Sequence, residues 1–129
     1  MAQNFSKILL TGATGFVGGR LLHALTAHGM NVRCLVRSPE KIKGNLFLEE
    51  EIEIAEGDLL REDTLDSALE GIEVAYYLVH SMGGRTIGEN KVFAERDRIA
   101  AENFTRAADK AGGLSQGTVC WTFPRHRLI

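Results

Sequence analysis

Four glycines fall within nine residues in TGATGFVGG, residues 11–19, between the apolar run KILL and the amphipathic RLLHALTAHG. The chemistry open to such a segment is capture of an anion by the backbone. A helix that begins inside it presents N–H groups with no partner in the helix. Its aligned peptide dipoles add partial positive charge at the same end, so a phosphate can be held without a charged side chain. The amides from Thr14 through Phe16 to Val17 are the candidate donors, and the Thr14 hydroxyl can add another. A glycine-rich turn chosen only for packing is the competing explanation.

Three further positions have side chains suited to a nucleotide. Arg37 ends an apolar run, Asp58 and Leu59 lie in EGDL, and Val79 and His80 close VAYYLVH. The remaining reactive residue types point elsewhere. Cys34 and Cys120 have no CxxC spacing and no histidine at metal-ligand distance in sequence, which suits inert thiols. His23 and His28 are five apart on one helix, a spacing that does not put them on a common face, so they read as solvated.

These residues need a scaffold, and the hydrophobic pattern supplies one. Ile8–Leu10 and NVRCLVR (31–37) are short apolar or β-branched runs, as expected of strands buried on both faces. EIEIAEGD (51–58) alternates apolar and acidic residues, as does a strand near a sheet edge, and VAYYLV (74–79) is a deep strand. Between them, residues 16–27 form a helix with Gly29 as its stop. A helical turn is expected at 39–43, a short helix within 61–71, and the longest helix at 92–111 with Val92, Ile99, Asn103 or Phe104, and Ala107 on its stripe. Strict alternation of strand and helix predicts an α/β fold: a Rossmann-like doubly wound parallel sheet of four to five strands, its completeness left open.

In that strand–turn–helix setting, Gly12, Gly15 and Gly18 fit three separate tasks: the tight turn, the approach to pyrophosphate, and close packing of helix on sheet. Their spacing is GxxGxxG, one residue longer than the general GxGxxG fingerprint. Arg37 stands where an acid would hold ribose hydroxyls, and its guanidinium can pair with a 2′-phosphate, which points to NADP over NAD. Arg33 and Lys41 are secondary candidates. Asp58 can accept the adenine amino group while Leu59 packs on the ring, and His80 can reach ribose or pyrophosphate. A solvated arginine, a helix-entry aspartate and a plain loop histidine are the respective alternatives.

ILLTGATGFVGGRLL, VRSPEK, EGDL, AYYLVHSM and ERDRIAAENFTRAADKAG together resemble the short-chain dehydrogenase/reductase superfamily, in the extended and atypical branches that include nucleotide-sugar epimerases and NmrA-like proteins. The resemblance spans residues 7–112 and implies NAD(P) bound through Gly12, Gly15 and Gly18, with Arg37 near the adenosine phosphate and Asp58 and Leu59 near adenine. It also implies a Tyr-x-x-x-Lys pair for proton transfer, which this chain lacks. Tyr76 is followed four residues on by His80 and Tyr77 by Ser81, so no catalytic residue is assigned. Two functions are compatible: the nucleotide half of an oxidoreductase or epimerase relative, and a non-catalytic NADP-binding regulatory or assembly module.

Residues 1–112 are therefore expected to form the dinucleotide domain, and 113–129 a divergent tail in which TVCWTF (118–123) can add a fifth strand. That tail departs from the family pattern and suggests a truncated or frame-shifted product. The sheet edge it leaves open favours a homo-oligomer. Composition narrows the partners. Across 129 residues the net charge is −2, which gives no field for nucleic acid, and no apolar run is long enough to span a bilayer. A cytoplasmic protein with a small-molecule substrate is expected.

Overall fold

The computed structural model describes residues 7–41, 52–79, 87–111 and 119–121. Strands β1 (Lys7–Thr11), β2 (Asn31–Val36), β3 (Glu53–Glu56), β4 (Ile72–Tyr77) and β5 (Val119–Trp121) form one sheet in the order β3-β2-β1-β4-β5. Every adjacent pair is parallel, with Leu10 of β1 level with Cys34 on one side and Tyr76 on the other. The helices are α1 (Phe16–Ala27), α2 (Asp66–Leu69) and α3 (Ile87–Lys110), with 3₁₀ turns at Pro39–Lys41 and Glu62–Thr64.

The two-residue period of the strands splits the core into two layers. Leu9, Leu35, Ala75 and Tyr77 point to one face, where Leu65, Ala68 and Leu69 around α2 and Phe104, Ala107 and Ala108 of α3 cover them. Leu10, Val32, Cys34 and Val36 point to the other, where Leu22 of α1 covers them and Leu21 and Leu25 pack alongside. Helices on both faces of a parallel sheet make the fold doubly wound, as the alternation of elements predicts. Burial pushes the Cys34 thiol up to about 12, so it packs as an apolar group. Among the described residues no helix is long and apolar enough to cross a membrane.

The local signals act where expected. Gly29, at φ 74°, follows α1, and the Gly29 and Met30 amides donate back to the Thr26 and Leu25 carbonyls at 3.0 and 3.1 Å. β3 lies at the sheet edge, in keeping with its alternating sequence, although its apolar Ile54 stays 37% exposed there. Two boundaries move. β4 begins at Ile72 rather than Val74, because Gly71 at φ 75° turns the chain into the sheet and Ile72 is already buried. α3 starts at Ile87, before the expected residue 92, and Val92 is 55% exposed. The buried face starts further on, at Ala100, Asn103 and Phe104.

Arg33, a secondary ligand candidate in the sequence, is instead a structural cation. Its buried guanidinium donates to the carbonyls of Ala68 and Glu70 at the end of α2, at 2.7 and 2.8 Å, and its Nε lies 3.2 Å from Glu53. It thus answers carbonyls that the end of α2 leaves unpaired. Hydrogen bonds from Lys7 and Arg33 hold the Glu53 carboxyl below its usual range. Arg33→Met should lower unfolding free energy by about 2 kcal/mol in urea denaturation, since three acceptors lose a charged donor. A carboxyl lowered by folding stabilises above its unfolded value and loses that contribution as pH falls through the folded one. Wild type should therefore lose stability faster than Glu53→Gln in melts below pH 4.5, the ordinary value for this carboxyl.

Candidate functional site

The sheet order fixes where a ligand can lie. From β1 the chain winds outward to β2 and β3, then crosses back to β4 on the opposite side of β1. The crossovers on either side of β1 leave in opposite directions and open a crevice at the carboxyl ends of these strands. A cleft of about 800 Å³ occupies this place.

Nearly all of the sequence-derived candidates line it. Gly12, Thr14, Gly15, Phe16, Val17 and Gly18 come from the turn after β1 and the start of α1. Arg37 follows β2, Asp58 and Leu59 follow β3, and Val79 follows β4. His80 lies outside the described residues, as does the Lys41 side chain. The sequence reading missed a further wall, made by Arg96, Asp97 and Ala100 of α3. The i, i+1, i+4 spacing of these three puts them on one helical face, yet two of them are charged, so no apolar stripe marks them.

Within the turn the glycines do different work. Gly12 sits at φ 87°, and a Cβ there would meet the Leu78 carbonyl oxygen at 2.9 Å. A Cβ on Gly18 would lie 1.9 Å from the Gly12 carbonyl oxygen, so α1 can approach the turn only because this position has no side chain. Gly15 differs from both. It is the N-cap of α1 in an extended conformation, and the nearest atom to a Cβ there is the Gly12 oxygen at 3.4 Å.

The hydrogen bonds of this turn leave a donor set facing the cleft. The Gly15 amide donates to the Gly12 carbonyl at 3.0 Å, and the helical ladder starts with Gly19 donating to Gly15 at 2.8 Å. The Gly15 amide, inside the Thr14–Val17 range expected from sequence, is thus committed within the loop. The amides of Phe16, Val17 and Gly18 precede the ladder, with no side-chain cap and no acid in the first turn. An anion placed here meets donors and the positive end of the helix dipole. Phe16 is 76% exposed, and the Arg20 guanidinium lies over its ring, 4.6 Å from the centroid.

Across the strand tips, Arg37 is exposed and makes no ion pair among the described residues. Asp58 uses Oδ1 to accept the Leu60 amide at 2.9 Å, and its own amide donates to the Thr64 hydroxyl at 2.9 Å. It is therefore a turn-forming residue as well as a cleft-lining one. Leu59 is held from behind: buried Asn103 donates to its carbonyl at 2.8 Å. Nothing in local sequence pairs Asn103 with Leu59, because the contact exists only once α3 packs beside the turn at Glu62–Thr64.

Neither tyrosine is arranged for proton transfer. Tyr77 is buried, with its ring 5.1 Å from that of Phe104. Burial, followed by the negative charge of Asp97, raises its phenol above the usual range, which disfavours the phenolate. Tyr76 packs against the α1-side core. Among the described residues no cluster of side chains is suited to a metal ion.

A family model described as NAD(P)H-binding matches residues 12–114. The chain is 35% identical to ceramide reductase of Caulobacter vibrioides over 96 residues, 74% of this chain and 30% of that protein. It is 39% identical to sterol demethylase protein B of Methylococcus capsulatus over 104 residues, 81% of this chain and 31% of that protein. The solved structure of gox2253 superposes with a TM-score of 0.69 at 29% identity, covering 84% of this chain and 32% of that one. MoeE5 in complex with UDP-glucose and NAD gives 0.66 at 26% identity, over 84% and 34%. The chain thus spans about 30% of the length of such curated relatives.

The packing role of Gly18 has a direct check. Gly18→Ala should cost about 3 kcal/mol in denaturant unfolding, because the added methyl meets backbone that cannot swing away.

Proposed function

The chain belongs to the NAD(P)H-binding family, within the short-chain dehydrogenase/reductase superfamily, and we propose that its cleft holds NADP in preference to NAD. The observation that carries this reading is the open first turn of α1, with three amides ahead of the helical ladder and Gly15 lacking any strong steric reason within the fold. A glycine not demanded by its own chain leaves room for a ligand. In this reading the Phe16 and Val17 amides hold the pyrophosphate, and Gly15 lets it approach the backbone. Gly12 and Gly18 keep the turn and helix in place. Asp58 takes the adenine amino group, Leu59 and Val79 flank the base and ribose, and Arg37, exposed at the end of β2, receives the 2′-phosphate. His80 belongs to the same proposal on sequence grounds.

When bound, the nicotinamide supplies hydride transfer. The curated relatives include proteins named ceramide reductase and 3 beta-hydroxysteroid dehydrogenase/Delta 5-->4-isomerase. We read the chain as the nucleotide-binding part of an oxidoreductase or epimerase-like protein. Here its residues bind and orient the dinucleotide. Tyr77, buried with its phenol raised, is not arranged to move a proton here.

Titrating NADPH and NADH by fluorescence or calorimetry tests the reading. Wild type should bind both, NADPH more tightly. Arg37→Ala should weaken NADPH about 10-fold to 100-fold and leave NADH unchanged, the size expected for a charge-assisted hydrogen-bonded pair. Gly15→Leu should weaken both cofactors by at least about 10-fold in a folded protein, because its side chain projects into the pyrophosphate position. Equal binding of NADH and NADPH would remove the role of Arg37. Unchanged affinity in folded Gly15→Leu would remove the site.

A further inference from the structure

A diphosphate carries two negative charges, and the first turn of α1 offers it about half a positive charge, with no basic side chain before Arg20. Arg37 is committed, in the reading above, to the adenosine end. Among the described residues the formally charged side chains lining the cleft are Arg37 and Arg96 against Asp58 and Asp97, which cancel. Without Arg96 the charged side chains that line the cleft among the described residues would be net negative toward an anionic ligand, and Arg96 is the lining residue whose charge offsets this.

Its position suits the task. α1 packs on one face of the sheet and α3 on the other, so a ligand across the strand tips lies between the start of α1 and the cleft-facing turn of α3. Arg98, two residues along α3, is occupied by Glu95 and by Glu102, the latter at 2.9 Å. Arg96 is exposed and has no hydrogen bond or ion pair among the described residues. Asp97 beside it, the residue whose charge raises the Tyr77 phenol, lies on the same wall. A charged guanidinium next to an acid, at the edge of a cleft rather than inside a salt bridge, is free to pair with a ligand anion.

We propose that Arg96 is a positioning residue for the dinucleotide, clamping its pyrophosphate from the α3 side opposite the amides of Phe16 and Val17. The proposal rests on the NAD(P) reading above. The guanidinium fork matches two phosphate oxygens, which a lone ammonium does less well. Arg37 therefore selects between cofactors, whereas Arg96 acts on whatever carries a diphosphate.

A series of ligands separates these roles: ADP, NADH, NADPH and adenosine 2′-monophosphate, titrated into wild type, Arg96→Gln, Arg96→Lys and Arg37→Ala. Arg96→Gln should weaken ADP, NADH and NADPH by a similar factor, about 10-fold, and leave adenosine 2′-monophosphate unchanged. Arg96→Lys should recover part of the loss. Arg37→Ala should show the complementary pattern, with losses confined to ligands bearing a 2′-phosphate. Arg96 is exposed, so thermal melts of both Arg96 variants should match wild type. If wild type binds the dinucleotides and Arg96→Gln binds all four ligands as wild type does, the clamp is wrong and the cofactor reading stands. A loss confined to 2′-phosphate ligands also overturns it, by moving Arg96 to the adenosine end. If wild type binds none of ADP, NADH and NADPH, both readings fall together.

Discussion

The structure depends on one close approach. The Gly12 carbonyl comes so near Gly18 that no side chain fits between them. That contact sets the distance of α1 from the sheet, and with it the point in space where the helix dipole ends. Were α1 a few tenths of an ångström further out, the Phe16 and Val17 amides would face a different part of the cleft. Gly12 contributes from the other direction. Its left-handed backbone lets β1 turn beneath Leu78, so the end of β4 and the glycine turn are packed on each other. Strand, turn and helix are thus one rigid piece, in which steric exclusion rather than attraction determines where the first amides of α1 point.

The second wall of the cleft is assembled by different means. α3 reaches the turn after β3 through polar contacts: Asn103 to the Leu59 carbonyl, and Arg106 both to Asn103 and to Glu62. These hold Leu59 at the height of the strand tips. The apolar layer beneath, with Phe104 against Tyr77 and Leu65 and Leu69 alongside, carries most of the burial. The polar contacts select one position for the helix among the several an apolar surface would tolerate.

Much of this was legible in the sequence because the fold relies on short-range rules. The apolar run Ile8–Leu10 and the largely apolar, β-branched NVRCLVR (31–37) announce buried strands, and the EIEI alternation announces the edge position that β3 takes. Gly29 stops α1 as its place predicts. The glycine spacing, the positions of Arg37, Asp58, Leu59 and Val79 after their strands, and the family resemblance all point to one crevice, and these residues line one cleft in the structure. What escaped depends on packing between distant segments. Ile87 at the start of α3 is followed by Gly88, Glu89, Asn90 and Lys91, with no apolar stripe, so the sequence pattern places the start at residue 92. Arg33 reads as a solvent or ligand cation until α2 arrives over it with unpaired carbonyls. Asn103 and Arg96 are ordinary helix residues in sequence, and only the tertiary fold gives one a carbonyl and the other a cleft.

The Arg33 contacts have a further implication for how the molecule opens. β3 is hydrogen-bonded on one side only, and edge strands of that kind are where local fraying ordinarily begins. Here one guanidinium binds the Glu53 carboxylate of that strand and the carbonyls that end α2, so neither element can detach without stranding a buried charge. Strand and helix should release their amides to exchange as a single cooperative unit. The weakest margin of the sheet would then open rarely and as a block, leaving the β3 side of the cleft intact between such events.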